Sequence, residues 1–124
     1  KHLRINWKEG EKYFRNCLLD FNEANNVAQW QWVAGCGADA APYFRIFNPI
    51  LQGEKFDKEG LYVKKWVPEL SKVPSKFIHK PWEMELKYQE AINTVIGKNY
   101  PKPIVIHEEA RAAALSAFQS LKKN

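Results

Sequence analysis

Apolar residues recur at helical spacing along this chain, and proline and glycine divide that pattern into short segments. The clearest segment spans 107–122, with acids in its first turn and lysines around its end, as the helix dipole favours. No run alternates apolar and polar residues regularly enough to build a sheet. The sequence therefore predicts an all-α fold. The apolar stripe of the last helix consists of Ala110, Ala113, Ala114, Ala117, Phe118 and Leu121.

Two more helices are predicted near the start of the chain. An amphipathic helix is expected over about 8–20, because apolar residues return there at helical spacing. A second helix is expected to begin after Asn22, a good N-cap residue, and to end at about Ala34, since Gly35 and Gly37 follow. The apolar residues that define the first of these helices are Tyr13, Phe14, Cys17, Leu18 and Phe21.

The middle of the chain is predicted to be broken into irregular pieces. Residues 38–56 read as irregular because prolines and a glycine interrupt every run, and the aromatic side chains within them indicate a pinned loop. Asp57 is expected to cap a third helix of about ten residues that Pro68 stops. The rest of the prediction is a basic linker over 71–81, a helical stretch from Pro81 to about Thr94, and either a short strand or an apolar docking segment at 104–106.

The composition indicates one folded domain with a modest excess of positive charge. The chain has 124 residues, of which 45% are hydrophobic and 27% charged. It is therefore long and apolar enough to form a hydrophobic core, and disorder is not indicated. No apolar run approaches the roughly 18 residues of a membrane span, and the first residues lack the apolar block of a signal peptide. We therefore expect a cytoplasmic protein without a membrane partner. The net charge of +5 suits a polyanionic partner.

Several common kinds of site are not supported by the sequence. Cys17 and Cys36 belong to no cluster with metal-ligand spacing, so no metal site is expected, and both are interpreted as buried free thiols. The Gly-x-Gly at 35–37 follows a helix instead of a strand, which excludes a dinucleotide-binding fingerprint. The carboxylate pair Glu83 and Glu85, like the adjacent acids at 108–109, is expected on a solvated helix face.

The segment from Asp20 to Trp32 concentrates amide and indole side chains in a chain that has five tryptophans. On a helix, Asn26 and Trp30 lie one turn apart on one face, and Asn22 lies one further turn back. Trp30 and Trp32 point about 200° apart, so they cannot stack on the same ligand face. The pattern leaves two interpretations open: a ligand site, or asparagines that cap the helix beside tryptophans that fill a core.

Longer runs of this sequence resemble the photolyase/cryptochrome family. These runs are WQWVAG at 30–35, DAAPYFRIFNP at 39–49, QGEKFD at 52–57, WVPEL at 66–70 and a Pro-x-Pro-Ile-Val-x-His-x-x-Ala-Arg pattern at 101–111. The resemblance covers essentially the whole chain. It implies the C-terminal portion of the helical FAD-binding domain of photolyases, with helices joined by long ordered loops. The antenna domain and the N-terminal part of the flavin domain would then be absent from residues 1–124.

The resemblance also implies a cofactor and a route for electrons. Asn26 matches the catalytic amide opposite nitrogen N5 of FAD, and Asp20 and Asn22 complete the implied cofactor-binding set, although many members have Asp in place of Asn22. Plant cryptochromes carry Asp where this chain has Asn26, so the amide favours repair over signalling. Trp30 matches the flavin-proximal member of the tryptophan electron-transfer chain, and Trp7 matches the middle member.

Three further positions match DNA contacts of the family. Trp32 matches an indole that packs against a flipped thymine dimer, Arg45 matches a contact to the DNA phosphate backbone, and Lys55 belongs to the same motif as Arg45. The implied partner is UV-damaged DNA.

The function implied for the longer parent is the carbon–carbon lyase activity of photolyases, which split cyclobutane pyrimidine dimers by light-driven electron transfer from reduced FAD. We expect a monomeric parent whose antenna pigment binds in the missing N-terminal domain. The chain alone is expected to be inactive, since half of the cofactor cleft is missing. The alternatives are a cryptochrome-type FAD photoreceptor, a six-four photolyase, and a non-catalytic helical DNA-binding module.

Overall fold

The structure, a computed structural model, describes residues 1–38 and 44–122, and the regular elements in these ranges are helices. Within them no strand forms, and the sole β-type pairing is an isolated bridge between Ile96 and Tyr100. The all-α prediction is confirmed. No helix in these ranges is long and apolar enough to cross a membrane. The helices are α1 (Trp7–Cys17), α2 (Glu23–Ala34), α3 (Pro49–Phe56), α4 (Leu61–Trp66), α5 (Leu86–Ala91) and α6 (His107–Lys122), with short 3-10 turns at Pro68–Leu70 and Pro81–Glu83.

The chain divides into two compact units, each with its own internal packing. The first unit comprises Lys1–Ile46 and Val105–Asn124. The second unit comprises the intervening segment, Phe47–Ile104. The predicted irregular stretch at 38–56 spans both units, and its residues 39–43 lie outside the part that the structure describes.

In the first unit, α1 and α2 pack against each other and begin at asparagine caps. The Asn6 side chain accepts a hydrogen bond from the backbone N–H of Lys8, and the Asn22 side chain accepts one from Asn25. Helix α2 ends at Gly35, whose φ of 78° is a left-handed conformation that suits glycine. The predicted bounds of α2 are therefore confirmed. Helix α1 ends at Cys17, three residues earlier than expected, because the next residue is already extended.

Helix α6 spans the predicted residues, but its apolar stripe is only partly covered. Ala110 and Ala114 are buried, whereas Leu121 is 72% exposed. The first unit thus contains a long helix whose last turns present apolar surface.

The second unit has a sealed apolar core at a place where a linker was predicted. Val73 is 0% exposed and Ile78 is 1% exposed, and they pack with Leu70 and Met84. The prediction of a basic linker over 71–81 is therefore wrong. Tight turns place the apolar residues of this segment in the interior and leave most of its lysines exposed. The composition of the segment therefore gave no sign of a core.

Helix α3 occupies the last eight residues of the stretch predicted to be irregular, so that part of the prediction is wrong, whereas residues 44–48 form no regular element. Pro49 stands at the start of the helix, where a missing N–H costs nothing, and the Asn48 side chain caps the first turn. Gly53 lies inside the helix because the His79 ring packs there: an added Cβ would come within 2.3 Å of its Nδ1. The two residue types that suggested disruption thus start the helix and permit its packing.

Helix α4 is shorter than predicted, and its N-cap residue is Gly60 instead of Asp57, although the Asp57 carboxylate contacts its first turn. The carboxylate of Asp57 accepts hydrogen bonds from the backbone N–H groups of Tyr62 and Val63, across a turn that places Gly60 at a φ of 69°. Six residues form the helix instead of about ten. The predicted stretch from Pro81 to Thr94 likewise resolves into a 3-10 turn and the six-residue α5.

Candidate functional site

The side chain of Asn26 links α2 to α1 and has a fixed orientation. Asn26 is 7% exposed, and its Nδ2 donates a hydrogen bond of 3.0 Å to the backbone carbonyl of Glu11. A carbonyl only accepts, so the amide nitrogen must face α1 and Oδ1 must face away. No donor among the described residues reaches Oδ1, and this atom is not sealed from its surroundings. The site therefore presents one oriented acceptor.

The two predicted neighbours of Asn26 behave differently. The side-chain oxygen of Asn22 accepts the backbone N–H of Asn25 at 2.9 Å, so this side chain is engaged in capping α2. Asp20 is exposed in the turn that joins α1 to α2, and no described residue forms an ion pair or hydrogen bond with its carboxylate. Of the predicted cofactor-binding residues, Asn26 and Asp20 thus keep free acceptor oxygens.

The indole of Trp30 packs against Gly10 of α1, a residue that is not among those predicted from the sequence. An added Cβ at Gly10 would lie 2.3 Å from Cη2 of the indole, which is closer than real contacts allow. The ring of Phe14 meets the indole edge-on, with centroids 5.1 Å apart and planes at 76°. A glycine inside an otherwise regular amphipathic helix was the available signal for this contact, since glycine weakens helices.

Trp7 and Trp30 line the same cavity, which has a volume of about 670 Å³. Its walls are largely apolar and aromatic, and the described residues that line it include no carboxylate. Trp32 lies on another side of α2 and is 45% exposed. The structure therefore brings the two predicted electron-transfer indoles together and separates Trp32 from them. The cavity also has three basic residues in its lining, Lys1, Arg4 and Lys8.

Arg45 is exposed, and the backbone around it is held by other parts of the first unit. The ring of Phe44 stacks on Phe118 of α6 at a centroid distance of 4.3 Å and an interplanar angle of 6°. Nζ of Lys1 donates a hydrogen bond to the backbone carbonyl of Arg45. Lys55 belongs to the second unit, where it is exposed, and its Nζ lies 5.1 Å from the ring centroid of Phe56.

A histidine pair lies at the start of α6. Nε2 of His2 and Nδ1 of His107 are 2.8 Å apart. Desolvation lowers the pKa of His2, and the nearby His107 lowers it further. The pair therefore favours a neutral His2.

The cysteines differ from the expectation of buried thiols. Cys17 and Cys36 are both exposed and free. Cys36 borders the cavity that contains Trp7 and Trp30. No group of three or more potential metal ligands occurs within the described ranges.

Comparisons with known proteins are consistent across sequence and structure. Residues 1–120 match the family model described as the FAD binding domain of DNA photolyase. A deoxyribodipyrimidine photo-lyase of Agrobacterium fabrum is 56% identical over 99% of this chain, which covers 26% of that relative. The chain spans about a quarter of the length of the curated relatives it matches.

Two solved structures show the same backbone arrangement. A bacterial class III photolyase from Agrobacterium tumefaciens matches 100% of this chain, which covers 26% of that protein, with a TM-score of 0.93 and 56% identity. A cryptochrome from Synechocystis matches 91% of this chain, which covers 23% of that protein, with a TM-score of 0.84 and 35% identity.

Proposed function

The chain belongs to the family of the FAD-binding domain of DNA photolyase, and from this premise we propose that it is the C-terminal part of a light-driven DNA repair enzyme. The proposed reaction is the splitting of cyclobutane pyrimidine dimers in UV-damaged DNA. The observation that carries the proposal is the α2 helix, where an oriented amide acceptor lies one turn from an indole that shares a cavity with a second indole.

The polar groups of α2 fit a flavin ring. When bound and reduced, FAD supplies the electron that the dimer requires. Oδ1 of Asn26 accepts hydrogen bonds but cannot donate them, so it would hold ring nitrogen N5 in its protonated, reduced state. The hydrogen bond from Nδ2 to Glu11 prevents the amide from turning to offer a donor instead. Asn26 would thus favour the form of the cofactor that is active in repair.

Asp20 and Asn22 receive different roles in this proposal. The exposed carboxylate of Asp20 would face a basic or N–H group near the flavin ring. The side chain of Asn22 caps α2, so Asn22 would contribute through its backbone and through the start of the helix. This division explains how the chain tolerates an amide where many relatives carry a second acid.

The indoles supply the path by which oxidised flavin would be reduced again. Trp30, adjacent to Asn26 along the helix, would be the nearer carrier, and Trp7, on the same cavity, the next. The contact with Gly10 holds the Trp30 ring at a fixed distance from α1. Electron transfer falls steeply with distance, so this packing would matter to the rate.

The remaining site residues would bind DNA. Trp32, with nearly half of its surface exposed, offers an indole face to a flipped lesion, which unstacks at lower cost than an intact base pair. Arg45 and Lys55 would contact phosphates, which position a protein on DNA without reading its sequence. The net charge of +5 is consistent with such a surface.

A Trp30→Phe substitution in the longer protein that carries this chain tests the proposal. Photoreduction of oxidised FAD should slow by more than tenfold, whereas repair by chemically reduced enzyme should remain largely intact. Trp66→Phe is the matched control, because Trp66 is an exposed tryptophan of the second unit. Equal loss of photoreduction and repair after Trp30→Phe would contradict the assigned role.

A cryptochrome-type photoreceptor is the second candidate, because a cryptochrome shares this backbone. The amide at Asn26 and the exposed indole of Trp32 favour repair. Light-dependent loss of dimers from DNA separates the two functions, since a photoreceptor would bind and reduce FAD without removing the lesion.

A further inference from the structure

The side chain of Lys1 contacts Phe44 and Arg45. Its ammonium nitrogen lies 4.6 Å from the ring centroid of Phe44, within range of a cation–π interaction. The same nitrogen donates a hydrogen bond to the backbone carbonyl of Arg45. The Phe44 ring in turn stacks face to face on Phe118 of α6. Three contacts therefore fix the backbone at 44–45, while the guanidinium of Arg45 extends into solvent.

The ammonium of Lys1 is partly removed from water, and burial lowers its pKa. Desolvating a charge is unfavourable unless polar partners compensate for the lost water. Within the described ranges no carboxylate pairs with Lys1, so its compensation comes from the Phe44 ring and the Arg45 carbonyl. This arrangement is expected of a residue that anchors the 44–45 backbone, and it is not expected of a freely solvated surface lysine.

We propose that Lys1 is a positioning residue for Arg45, and that it holds the 44–45 backbone in place before DNA arrives. Preorganising a binding group removes the cost of ordering it upon association. The inference rests on the proposed role of Arg45 as a phosphate contact. It assigns Lys1 an effect on DNA affinity that passes through Arg45, with no contact between Lys1 and DNA.

The test is a double-mutant cycle in the longer protein that carries this chain, with dimer-containing duplex DNA as the probe. Lys1→Met should weaken DNA binding about fivefold, the scale of ordering one interface side chain upon association. Lys1→Arg retains the charge and the donor, and should recover most of the affinity. Arg45→Ala should weaken binding about tenfold and reduce the salt dependence by about one phosphate contact. In the Arg45→Ala background, Lys1→Met should cause no further loss.

The control variant is Lys122→Met. The Lys122 ammonium lies 5.1 Å from the ring of Phe118, so this variant removes a cation–π contact from the same aromatic stack without touching Arg45. It should leave DNA affinity unchanged. Lys1→Met should raise the KM for damaged DNA at constant kcat and constant flavin photoreduction, which separates positioning from general damage to the fold.

Three results would overturn the inference. A further fivefold loss from Lys1→Met in the Arg45→Ala background would show that Lys1 acts on DNA independently. If Lys1→Arg did not recover the affinity, neither the positive charge nor the hydrogen-bond donor of Lys1 would be the cause of its effect on DNA binding. If Arg45→Ala leaves both affinity and salt dependence unchanged, the phosphate contact assigned to Arg45 is wrong and the positioning role falls with it, while the repair reaction is tested separately by dimer loss.

Discussion

The two units of this chain differ in helix length and in how well their apolar side chains are buried. The unit with the shorter helices has the better-buried core. The second unit has α-helices of six to eight residues, yet Leu70, Val73, Ile78 and Met84 form a sealed apolar cluster. The first unit has helices of 11, 12 and 16 residues. Among its described residues, however, the buried side chains are Asn26 and two alanines of α6.

The difference indicates where stability and function lie. Turns and short helices suffice to close a core when large apolar side chains converge on it. The first unit instead leaves an amide oxygen and a largely apolar cavity lined by two indoles, which supports the proposed site. We propose that further chain of a longer protein covers this apolar surface, given that the relatives are about four times as long.

The largest expected effect is a core truncation in the second unit. Ile78→Ala should destabilise the chain by about 3 kcal/mol, because Ile78 is fully buried and the cavity left behind cannot collapse completely. Leu121→Ala in the first unit should change stability by less than about 0.5 kcal/mol, since this leucine is mostly solvated. Urea unfolding followed by circular dichroism measures both. Similar losses for the two variants would end the distinction between the units.

The next effect concerns the glycine beneath Trp30. Helix propensity alone favours alanine over glycine by about 1 kcal/mol. Gly10→Ala should nevertheless destabilise the first unit by about 1–3 kcal/mol, because its Cβ would overlap the indole and force repacking. Asn16→Ala, an exposed site on the same helix, is the control and should be neutral or stabilising. If Gly10→Ala stabilised the protein, the contact between residue 10 and the Trp30 indole would not be tightly packed.

A smaller effect is expected at the cap of α2. Asn22→Ala should cost about 1 kcal/mol, because it leaves an N–H in the first turn without its partner, whereas Asn22→Asp should keep the cap. If Asn22 acts through the cap, the Asn22→Asp variant should bind FAD with the same affinity as the unsubstituted sequence. A loss of flavin affinity in Asn22→Asp, measured by fluorescence titration in the longer protein, would instead indicate direct contact with the Asn22 amide.

The smallest effect is a difference in pH dependence between the units. Because the pKa of His2 is lowered, the folded first unit binds fewer protons than the unfolded chain. Its stability should therefore be full above the ordinary value of 6.5 and should decrease as the pH falls toward the lower folded value. His2→Gln should remove this contribution. Hydrogen exchange of the α1 and α6 amides between pH 8 and pH 5 measures this contribution. Protection that does not change with pH in the unsubstituted sequence would contradict the prediction.

In the second unit the corresponding loss should begin only in stronger acid. Burial raises the pKa of Asp57, but hydrogen bonds from the backbone N–H groups of Tyr62 and Val63, together with His79, outweigh it and hold the pKa below 3.8. The stability contributed by Asp57 is present above that ordinary value and is lost as the pH falls through the lowered one. Protection of the second-unit amides should therefore persist at pH 5.

The sequence predicted those features that depend on local spacing. Helix α2 was placed correctly because Asn22 and Gly35 mark its ends, and the one-turn spacing of Asn26 and Trp30 follows directly from helical geometry. Helix α3 was missed because proline and glycine also occur in helices when a cap precedes them or a ring packs against them. The linker over 71–81 was misread because the direction in which each side chain points depends on turns, and turns leave a weak pattern.

The remaining site features join positions far apart in the sequence. Lys1 contacts residue 45, which is 44 positions away in the sequence, and Phe44 contacts Phe118, which is 74 positions away. No local periodicity carries such information. Gly10 was the exception, because a glycine within an amphipathic helix marks a close approach that could have been anticipated.

Light-driven repair by the longer protein that carries this chain tests the central proposal most directly. The protein, with its FAD chemically reduced, is mixed with DNA that contains thymine dimers, and intact thymines are counted with and without illumination. Dimers should be lost only in the light, and Trp32→Ala, which removes the exposed indole, should slow the loss. Bound, reduced FAD with no light-dependent loss of dimers would contradict the central proposal.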